Sequence, residues 1–292
     1  MIASLGPEIP HELLAATGQY TGPLGWRIDR DFPRAAQWLE SKFPLWALSI
    51  VEDWADGAMD HLETVVFSRA DDSAQRLYYY LCELQARGLV AGPRPLILDI
   101  ARIGRASSEA RCIEAVRQLA GELGVGDAAL VAAIGAANAA APQAANQGEG
   151  AVCLLAGTHP PDRRLHATVE AAGWQAAGET LGEVWSRSDA AVEDYASDPC
   201  AALGRRLHGA ATGTRGFQDR GAEIVARARA AGAAAVVLWY SEEDEAEVWH
   251  LPAQKRALAD AGLPTLVLTR RDWRCNDGVV SEIVGFLTEQ GA

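Results

Sequence analysis

The sequence predicts an α/β protein with two Rossmann-like (flavodoxin-like) doubly wound domains, mainly parallel sheets and a cleft between the domains. Short apolar runs recur along the chain, and amphipathic helical segments lie between them. The apolar runs are continuous rather than alternating, which is typical of strands buried on both faces of a parallel sheet. The predicted strands are residues 45–51, 64–67, 95–100, 151–157, 233–240 and 264–269.

Glycine follows the last residue of the predicted helices, as expected for a C-cap. Ser107 and Ser108 are candidate N-caps of the first of these helices. The helical segments are 107–123, 217–232 and 246–262. An Ala- and Gln-rich stretch, residues 136–150, separates the two groups of strands. We therefore predict an N-terminal domain over residues 1–148 and a C-terminal domain over residues 149–292.

Composition restricts the classes of function. The formal net charge is −13, whereas proteins that bind nucleic-acid backbones concentrate Lys and Arg on one face. We therefore expect a small-molecule substrate and no nucleic-acid partner. Apolar runs stay well below the ~20 residues that span a bilayer, and the first residues do not resemble a signal peptide. The expectation is a cytoplasmic protein without membrane contact.

The five cysteines do not form a metal-binding or disulfide pattern. They are Cys82, Cys112, Cys153, Cys200 and Cys275, an odd number without a C-x-x-C pair. Reduced thiols, several of them buried, are the expected state. No Gly-rich dinucleotide fingerprint, phosphate-binding Walker loop, G-x-S-x-G elbow or H-E-x-x-H motif occurs in the chain.

Ligands of doubly wound sheets bind beyond the carboxyl ends of the strands, so polar turns after strands are the candidate sites. In the first domain, Asp71 and Asp72 follow the strand 64–67. One alternative is that an acid caps the next helix. The other is that one acid, with Asp72 suited to the role, caps the helix while Asp71 faces the cleft as an acid or base. Ser68, Arg69 and Arg102 are candidate substrate-binding residues in neighbouring turns.

Two turns of the second domain carry further candidates. His159 follows Gly157 and Thr158 and can act as an acid or base, although an ordinary helix-start turn is the alternative. Five acids lie within residues 242–247, usually a sign of solvated surface, but here they follow a buried strand. From this turn we select Asp244 as catalytic. The substrate-binding candidates are Gly157, Thr158, Tyr240, Ser241, Trp249 and His250, and an aromatic substrate can stack on tryptophans near the strand ends.

Six segments, in order, resemble the 2-hydroxyacyl-CoA dehydratase family, which includes the benzoyl-CoA reductase subunits. They are GPEIPHELLAATG, VVFSRADDSAQRLYYYL, ILDIARIGRASSEARCIEAVRQLAGELG, CLLAGTHPPDRRLHATVEAAGW, VVLWYSEEDEAEVWHLPAQKRALADAGLPTLVL and SEIVGFLTEQ. The resemblance implies a [4Fe–4S] cluster held by one cysteine from each of three turns, which supports radical dehydration or aromatic thioester reduction. The corresponding positions here are Gly6, Asp71 and Asp244. Because carboxylates poorly replace thiolates, we expect no iron–sulfur cluster.

Three functions remain open. The first is a lyase or dehydratase-like enzyme without a redox cofactor, in which Asp71 and Asp244, with His159 or His250, perform acid–base chemistry in the interdomain cleft. Its substrate would be a small organic molecule, aromatic or an acyl thioester. The second is a non-catalytic partner subunit of a cluster-bearing enzyme. The third is a lyase that depends on a divalent metal bound by the two carboxylates. Polar groups at several strand ends favour the enzyme, and the resemblance implies a homodimer or a heterodimer.

Overall fold

Two four-stranded parallel sheets carry the fold, one in each of two compact units. The computed structural model describes residues 1–101, 103–140, 150–187, 191–210 and 219–291. Within these ranges the chain forms eight strands and thirteen helices, and each strand runs parallel to its neighbours. The predicted α/β class is confirmed, while the Rossmann-like detail stays a prediction.

The first sheet has an order that reverses once. Its strands are β1 (Ile2–Leu5), β2 (Tyr20–Pro23), β3 (Thr64–Ser68) and β4 (Arg94–Leu98). They are arranged in the order β2-β1-β3-β4, and every residue of β3 is buried. The sequence predicts β3 and β4 but not β1 or β2. β2 contains no buried residue, and its Gly and Pro have low strand propensity, so its apolar signal is weak.

Seven helices accompany this sheet. They are α1 (His11–Ala15), α2 (Ala35–Trp38), α3 (Leu45–Ala55), α4 (Asp72–Ala86), α5 (Ala106–Glu122), α6 (Asp127–Ala139) and α9 (Pro199–Gly209). Arg105 is the N-cap of α5, so Ser107 and Ser108 lie inside its first turn and are not the cap. Gly124 follows α5 with φ +67°, a conformation that glycine adopts at little cost. The helix α8 (Leu181–Ser186) crosses the division between the units in the sequence.

The predicted strand at 45–51 is wrong, because this run is the first part of α3. A short apolar run does not distinguish a buried strand from a buried helix, and α3 is buried on most sides. The buried carboxylate of Glu52 accepts the N–H groups of Arg34 and Ala35 at 3.0 and 2.9 Å. As a helix, this run buries its apolar side chains, and Glu52 of the same helix anchors the segment around Arg34 and Ala35.

The division into units differs from the predicted domains. The units comprise Met1–Ala144 with Trp185–Phe217, and Ala145–Val184 with Gln218–Ala292. Part of the predicted C-terminal domain, 149–292, thus belongs to the first unit. Here α9 packs against α5, and its Arg206 binds Glu12 of α1 through two bonds of 2.5 and 2.8 Å. Because α9 contacts α5 and α1, which are distant from it in sequence, α9 belongs to the first unit.

The predicted boundary near residue 148 falls within 141–149, outside the described residues. Of the Ala-rich stretch 136–150, the first residues continue α6 as far as Ala139. Alanine has the highest helix propensity, so this part forms a helix rather than a linker.

The second sheet has the order β6-β5-β7-β8, which repeats the pattern of the first. Its strands are β5 (Val152–Gly157), β6 (Gln175–Ala177), β7 (Ala233–Ser241) and β8 (Thr265–Arg271). The sequence predicts all of these except the three-residue β6. The accompanying helices are α7 (Arg164–Ala171), α10 (Arg220–Ala230), α11 (Glu245–Val248), α12 (Leu251–Asp260) and α13 (Val279–Gln290).

The single helix predicted over 246–262 is two helices in the structure. α11 ends at Val248 and α12 begins at Leu251, with Trp249 and His250 between them. Pro252 occupies the first turn of α12, where its missing N–H costs nothing. The proline therefore marks a helix start.

The state of the cysteines and the lengths of the helices follow directly from the structure. All five cysteines are free, and Cys112, Cys153 and Cys200 are buried. No single helix within the described ranges is long and apolar enough to cross a membrane, whereas α5 and α6 together, bent by 111°, pass on length and composition.

Candidate functional site

Each sheet reverses its strand order at one point, and the loops leaving the two strands there diverge. In open α/β sheets, ligands bind at such a reversal, beyond the carboxyl ends of the strands. In the first unit the two strands are β1 and β3, and in the second unit they are β5 and β7. Each unit therefore has its own candidate place for a ligand.

In the second unit, Gly157 allows β5 to leave the sheet close to β7. Its φ is +96°, and a Cβ atom at this position would lie 2.3 Å from the carbonyl oxygen of Trp239. Only glycine fits here without movement of the backbone. The next N–H, from Thr158, donates to the same Trp239 oxygen at 2.8 Å, which fixes the Thr158 side chain over the end of β7.

The side chain of Thr158 connects the two strand ends. Its Oγ1 accepts the N–H of Ser241 at 3.2 Å and donates to Asp244 Oδ2 at 2.6 Å. The other carboxylate oxygen of Asp244 accepts the N–H of Glu247 at 3.3 Å, so Asp244 is also the N-cap of α11. We call Gly157, Thr158, Ser241 and Asp244 the β5–β7 site.

Burial makes the carboxyl group of Asp244 a weaker acid. Desolvation raises its pKa above the usual value, and the hydrogen bonds from Thr158 and from the Glu247 N–H offset only part of that increase. Desolvation and the nearby charge of Asp244 also raise the pKa of Glu247. A carboxyl group with a raised pKa can exchange a proton nearer to neutral pH.

A third carboxyl group lies beside this site. Glu243 Oε2 accepts the indole N–H of Trp273 at 2.7 Å. Desolvation raises the pKa of Glu243, against the opposing effects of Trp273 and the nearby Ser241 hydroxyl. Trp273 in turn packs edge-on against Trp239, with ring centroids 5.8 Å apart, and both rings are buried.

The remaining candidates of the second unit have diverse positions. His159 is partly buried next to Thr158, and His250 is the N-cap residue of α12. The Trp249 side chain is 84% exposed, so its ring is open to a ligand. Tyr240 differs from the prediction, because it is fully buried and its hydroxyl donates to Gln254 Oε1 at 2.6 Å. Tyr240 is therefore a core residue, and its hydroxyl is already bonded to Gln254 rather than available to a substrate.

In the first unit, Asp71 is the N-cap of α4. Its Oδ1 accepts the N–H of Ala74 at 2.7 Å, and its backbone is extended as an N-cap requires. Asp72 is the first residue of α4 and is exposed. The capping alternative therefore holds for Asp71, whose second oxygen is not used by this cap.

Ser68 is the last residue of β3, and Arg69 follows it in the turn that leads to Asp71. The Ser68 hydroxyl accepts the N–H of Ala70 at 3.0 Å, and Arg69 Nη1 lies 2.5 Å from Asp99 Oδ2. Arg111 approaches the same Asp99 oxygen at 3.8 Å. Arg102 lies outside the described residues.

The structure brings some predicted site residues together and leaves others apart. Thr158 and Asp244 are in contact, with Ser241 and Gly157 beside them, and Ser68, Arg69 and Asp71 share the end of β3. Asp71 and Asp244 belong to different units, so their meeting in one site stays a prediction.

Sequence reasoning did not select Glu243, Glu247 or Asp99 as site residues. Trp273 is one of the tryptophans near strand ends that it considered for stacking, and in the structure this ring is buried. The acidic run 242–247 after a buried strand is the signal that points to Glu243 and Glu247. It does not distinguish inward from outward side chains, because a turn has no fixed periodicity.

The residues at the cluster positions do not suit an iron–sulfur cluster. Gly6 follows β1, Asp71 follows β3 and Asp244 follows β7, and these positions provide no thiolate. The cysteines lie in or after α4, α5, β5, α9 and β8. Among the described residues, no three His, Cys, Asp or Glu side chains are grouped to hold a metal ion.

Comparison with known proteins does not assign the chain. No protein-family model matches it, and no curated protein is significantly similar to it. The resemblance to 2-hydroxyacyl-CoA dehydratases thus stays a prediction from sequence motifs.

Proposed function

We propose that this protein is a lyase-type enzyme that removes a proton from a carbon atom beside a carbonyl or hydroxyl group and expels a leaving group. The β5–β7 site performs this chemistry, and Asp244 is its acid–base residue. The proposal keeps the dehydratase-like reaction expected from the sequence and requires no redox cofactor.

One observation carries the proposal, the hydrogen bond of 2.6 Å between Thr158 Oγ1 and Asp244 Oδ2. It orients a carboxyl group whose pKa is raised by burial at the point where the strand order of the sheet reverses. A general base needs a fixed position and a pKa nearer to the working pH, and Asp244 has both. A helix cap alone does not require a second strand to supply a hydroxyl donor.

The proposed step assigns each proton. The ionised Asp244 takes the proton from the substrate carbon, and the C–H electron pair forms a carbon–carbon double bond. The bond from the neighbouring carbon to the leaving oxygen breaks, and this oxygen departs as water after taking a proton from a second acid. We assign that acid to His159 or His250, which flank the β5–β7 site in the sequence.

Deuterium incorporation tests the first half of this reaction for a substrate of unknown identity. Small ketones, carboxylic acids and acyl thioesters, with and without 2- or 3-hydroxyl groups, are incubated with the protein in D₂O and followed by ¹H NMR. We expect exchange at the carbon beside the carbonyl for at least one compound. Asp244→Asn should abolish it and still cap α11, because Asn caps helices as well as Asp does.

The matched control is Asp219→Asn, which changes the N-cap of α10 and should leave exchange unaltered. Exchange of equal rate in wild type and Asp244→Asn would remove Asp244 from the mechanism. Absence of exchange and of elimination with every compound would favour the non-catalytic partner subunit.

The wider setting is proposed with it. A formal net charge of −13 supports a small-molecule substrate rather than nucleic acid, and five free cysteines support a reducing compartment such as the cytoplasm. The exposed Trp249 ring supports an aromatic substrate. A homodimer or heterodimer follows from the sequence resemblance alone.

A further inference from the structure

Two buried hydrogen-bond donors near the end of β7 lack an acceptor at normal hydrogen-bond geometry. Residues two apart on a strand project from the same face, so the side chains of Trp239 and Ser241 leave β7 on the same side; the pairing of β7 with β8 shifts its register between them. They are 0% and 2% exposed. Trp239 Nε1 has no hydrogen-bond partner among the described residues, and Ser241 Oγ makes no hydrogen bond of normal geometry there, although it lies near enough to the Glu243 carboxyl group to lower the pKa of that group.

Such a pair is unusual because buried polar groups are nearly always bonded. The same strand satisfies its other face, where the hydroxyl of Tyr240 donates to Gln254. Two other buried tryptophans are satisfied, since the N–H groups of Trp54 and Trp273 donate to Ala91 O and Glu243 Oε2. The buried N–H of Trp185 also has no acceptor, so the distinguishing feature of β7 is that two such donors lie two residues apart next to the β5–β7 site.

The two donors adjoin the β5–β7 site through the backbone of β7. The carbonyl oxygen of Trp239 accepts the N–H of Thr158, and the N–H of Ser241 donates to the Thr158 hydroxyl. Thr158 in turn holds Asp244. Any oxygen atom bound by Trp239 and Ser241 would thus lie next to the residues that orient the acid–base group.

We propose that Trp239 Nε1 and Ser241 Oγ bind the carbonyl oxygen of the substrate, which is therefore a ketone or an acyl compound. This inference rests on the proposed function. Removal of a proton beside a carbonyl places negative charge on its oxygen, and two fixed donors away from water stabilise that charge strongly. Glu243 lies at one side of this carbonyl subsite, because its carboxyl group accepts the N–H of Trp273 and is close to Ser241.

Ligand entry requires local opening. Trp239 and Ser241 are covered in the structure, and Trp273 is in ring contact with Trp239. Opening by rotation of Trp273 would uncover the donors and release Glu243 from its indole partner. A bound carbonyl compound should therefore change the environment of both indole groups.

Indole NMR tests the proposal with defined probes. The protein is labelled with ¹⁵N-tryptophan, and Trp239→Phe assigns the Trp239 resonance among the nine tryptophans. Acetophenone is titrated against α-methylstyrene, which has the same shape with CH₂ in place of the oxygen. We expect a saturable downfield shift of the Trp239 N–H with acetophenone and none with α-methylstyrene.

Variants make the result decisive. Ser241→Ala should weaken acetophenone binding about fivefold, the effect of one neutral hydrogen bond. If Trp239→Phe does not fold, contacts with the Trp273 ring assign the resonance instead. A Trp239 signal that does not move with acetophenone, or moves equally with both probes, would overturn the proposal.

Asp244→Asn separates this proposal from the proposed function. The variant should still bind acetophenone with the same Trp239 shift, because it leaves both donors in place. Probe binding by wild type without deuterium exchange would reject the acid–base role and retain the carbonyl subsite. Exchange that depends on Asp244 without a Trp239 shift would do the reverse.

Discussion

Thr158 and Asp244, 86 residues apart in the chain, form a hydrogen bond of 2.6 Å that joins the ends of two neighbouring strands. Thr158→Val removes this donor and keeps the side-chain shape. The Thr158 bond lowers the pKa of Asp244 against the larger effect of burial, so its loss should raise that pKa further.

The resulting expectation is a lower exchange rate, by about tenfold, and an acidic limb of the pH–rate profile displaced to higher pH. Deuterium exchange measured across the acidic to mildly basic range checks both. Thr158→Ser keeps the hydroxyl and should restore the profile. An unchanged profile in the valine variant would show that Thr158 does not position Asp244.

Asp71 provides a test of a residue with two possible roles. Asp71→Asn should keep the cap on α4 and the melting temperature, whereas Asp71→Ala should cost about 1 kcal/mol of stability. If Asp71 belongs to the acid–base set, Asp71→Asn also lowers turnover severely. Thermal unfolding and turnover of both variants distinguish the two roles. Full turnover in the asparagine variant would show that Asp71 only caps α4.

Glu247 should destabilise the protein at neutral pH. Burial and the charge of Asp244 raise its pKa, so the folded state binds this proton more tightly than the unfolded state does. Stability then falls as pH rises from the unfolded pKa of about 4.3 through the folded value. Glu247→Gln should raise the melting temperature at neutral pH by about 1–3 °C and have less effect near pH ~4.

The control for this linkage is Glu289→Gln, which removes an exposed carboxylate from α13. Calorimetry at both pH values compares the variants. A Glu247→Gln effect of the same size at acidic and neutral pH would contradict a protonation origin.

Gly204 lets α9 approach the backbone of α5. A Cβ atom there would lie 2.5 Å from Ile113 Cα, and a backbone atom cannot move aside as a flexible side chain can. Gly204→Ala should therefore cost about 1–3 kcal/mol despite the better helix propensity of alanine. Gly121→Ala in α5 meets no atom within 4 Å and should stabilise by about 0.5–1 kcal/mol.

Denaturant unfolding of the two glycine variants measures this difference. We expect the free energy of unfolding to fall in Gly204→Ala and to rise in Gly121→Ala. Equal stabilisation by both alanines would show that the α5–α9 contact is looser than the structure indicates.

The buried ion pair between Arg206 and Glu12 fixes α9 to α1. Burial alone would raise the pKa of Glu12, but the Arg206 guanidinium outweighs it and holds that pKa below the usual value. Arg206→Ala leaves a carboxylate that is 3% exposed without this partner and should cost about 3–5 kcal/mol. Arg205→Ala, an exposed neighbour, is the control and should have little effect.

The lowered pKa of Glu12 also predicts a pH dependence. The stabilisation is present above the unfolded pKa of about 4.3 and is lost as pH falls through the lower folded value. The stability difference between wild type and Glu12→Gln should therefore shrink below pH ~4. A difference that stays constant from neutral to strongly acidic pH would exclude this ion pair as its source.

Local pattern predicted much of the fold. The runs that became β3, β4, β5, β7 and β8 are continuous and apolar because these strands lie within parallel sheets. The carboxyl ends of those strands point to Asp71, Thr158, Ser241 and Asp244 from the sequence alone. The sequence locates these turns because each one directly follows a continuous apolar run.

Other features depended on contacts that a local pattern does not contain. The run 45–51 is part of a helix whose Glu52 accepts N–H groups from a preceding segment, and α9 joins the first unit through Glu12 and α5.

The site shows the same limit. The sequence showed acids and a threonine at strand ends, but the pairing of Thr158 with Asp244, the core position of Tyr240 and the unmet donors of Trp239 and Ser241 required the packed sheet. The local pattern of apolar residues predicts which segments are buried strands and where each strand ends, because this pattern depends only on residues that are neighbours in the chain. Long-range packing selects which side chains meet and which pKa values rise, because desolvation and hydrogen bonding depend on elements far away in the chain.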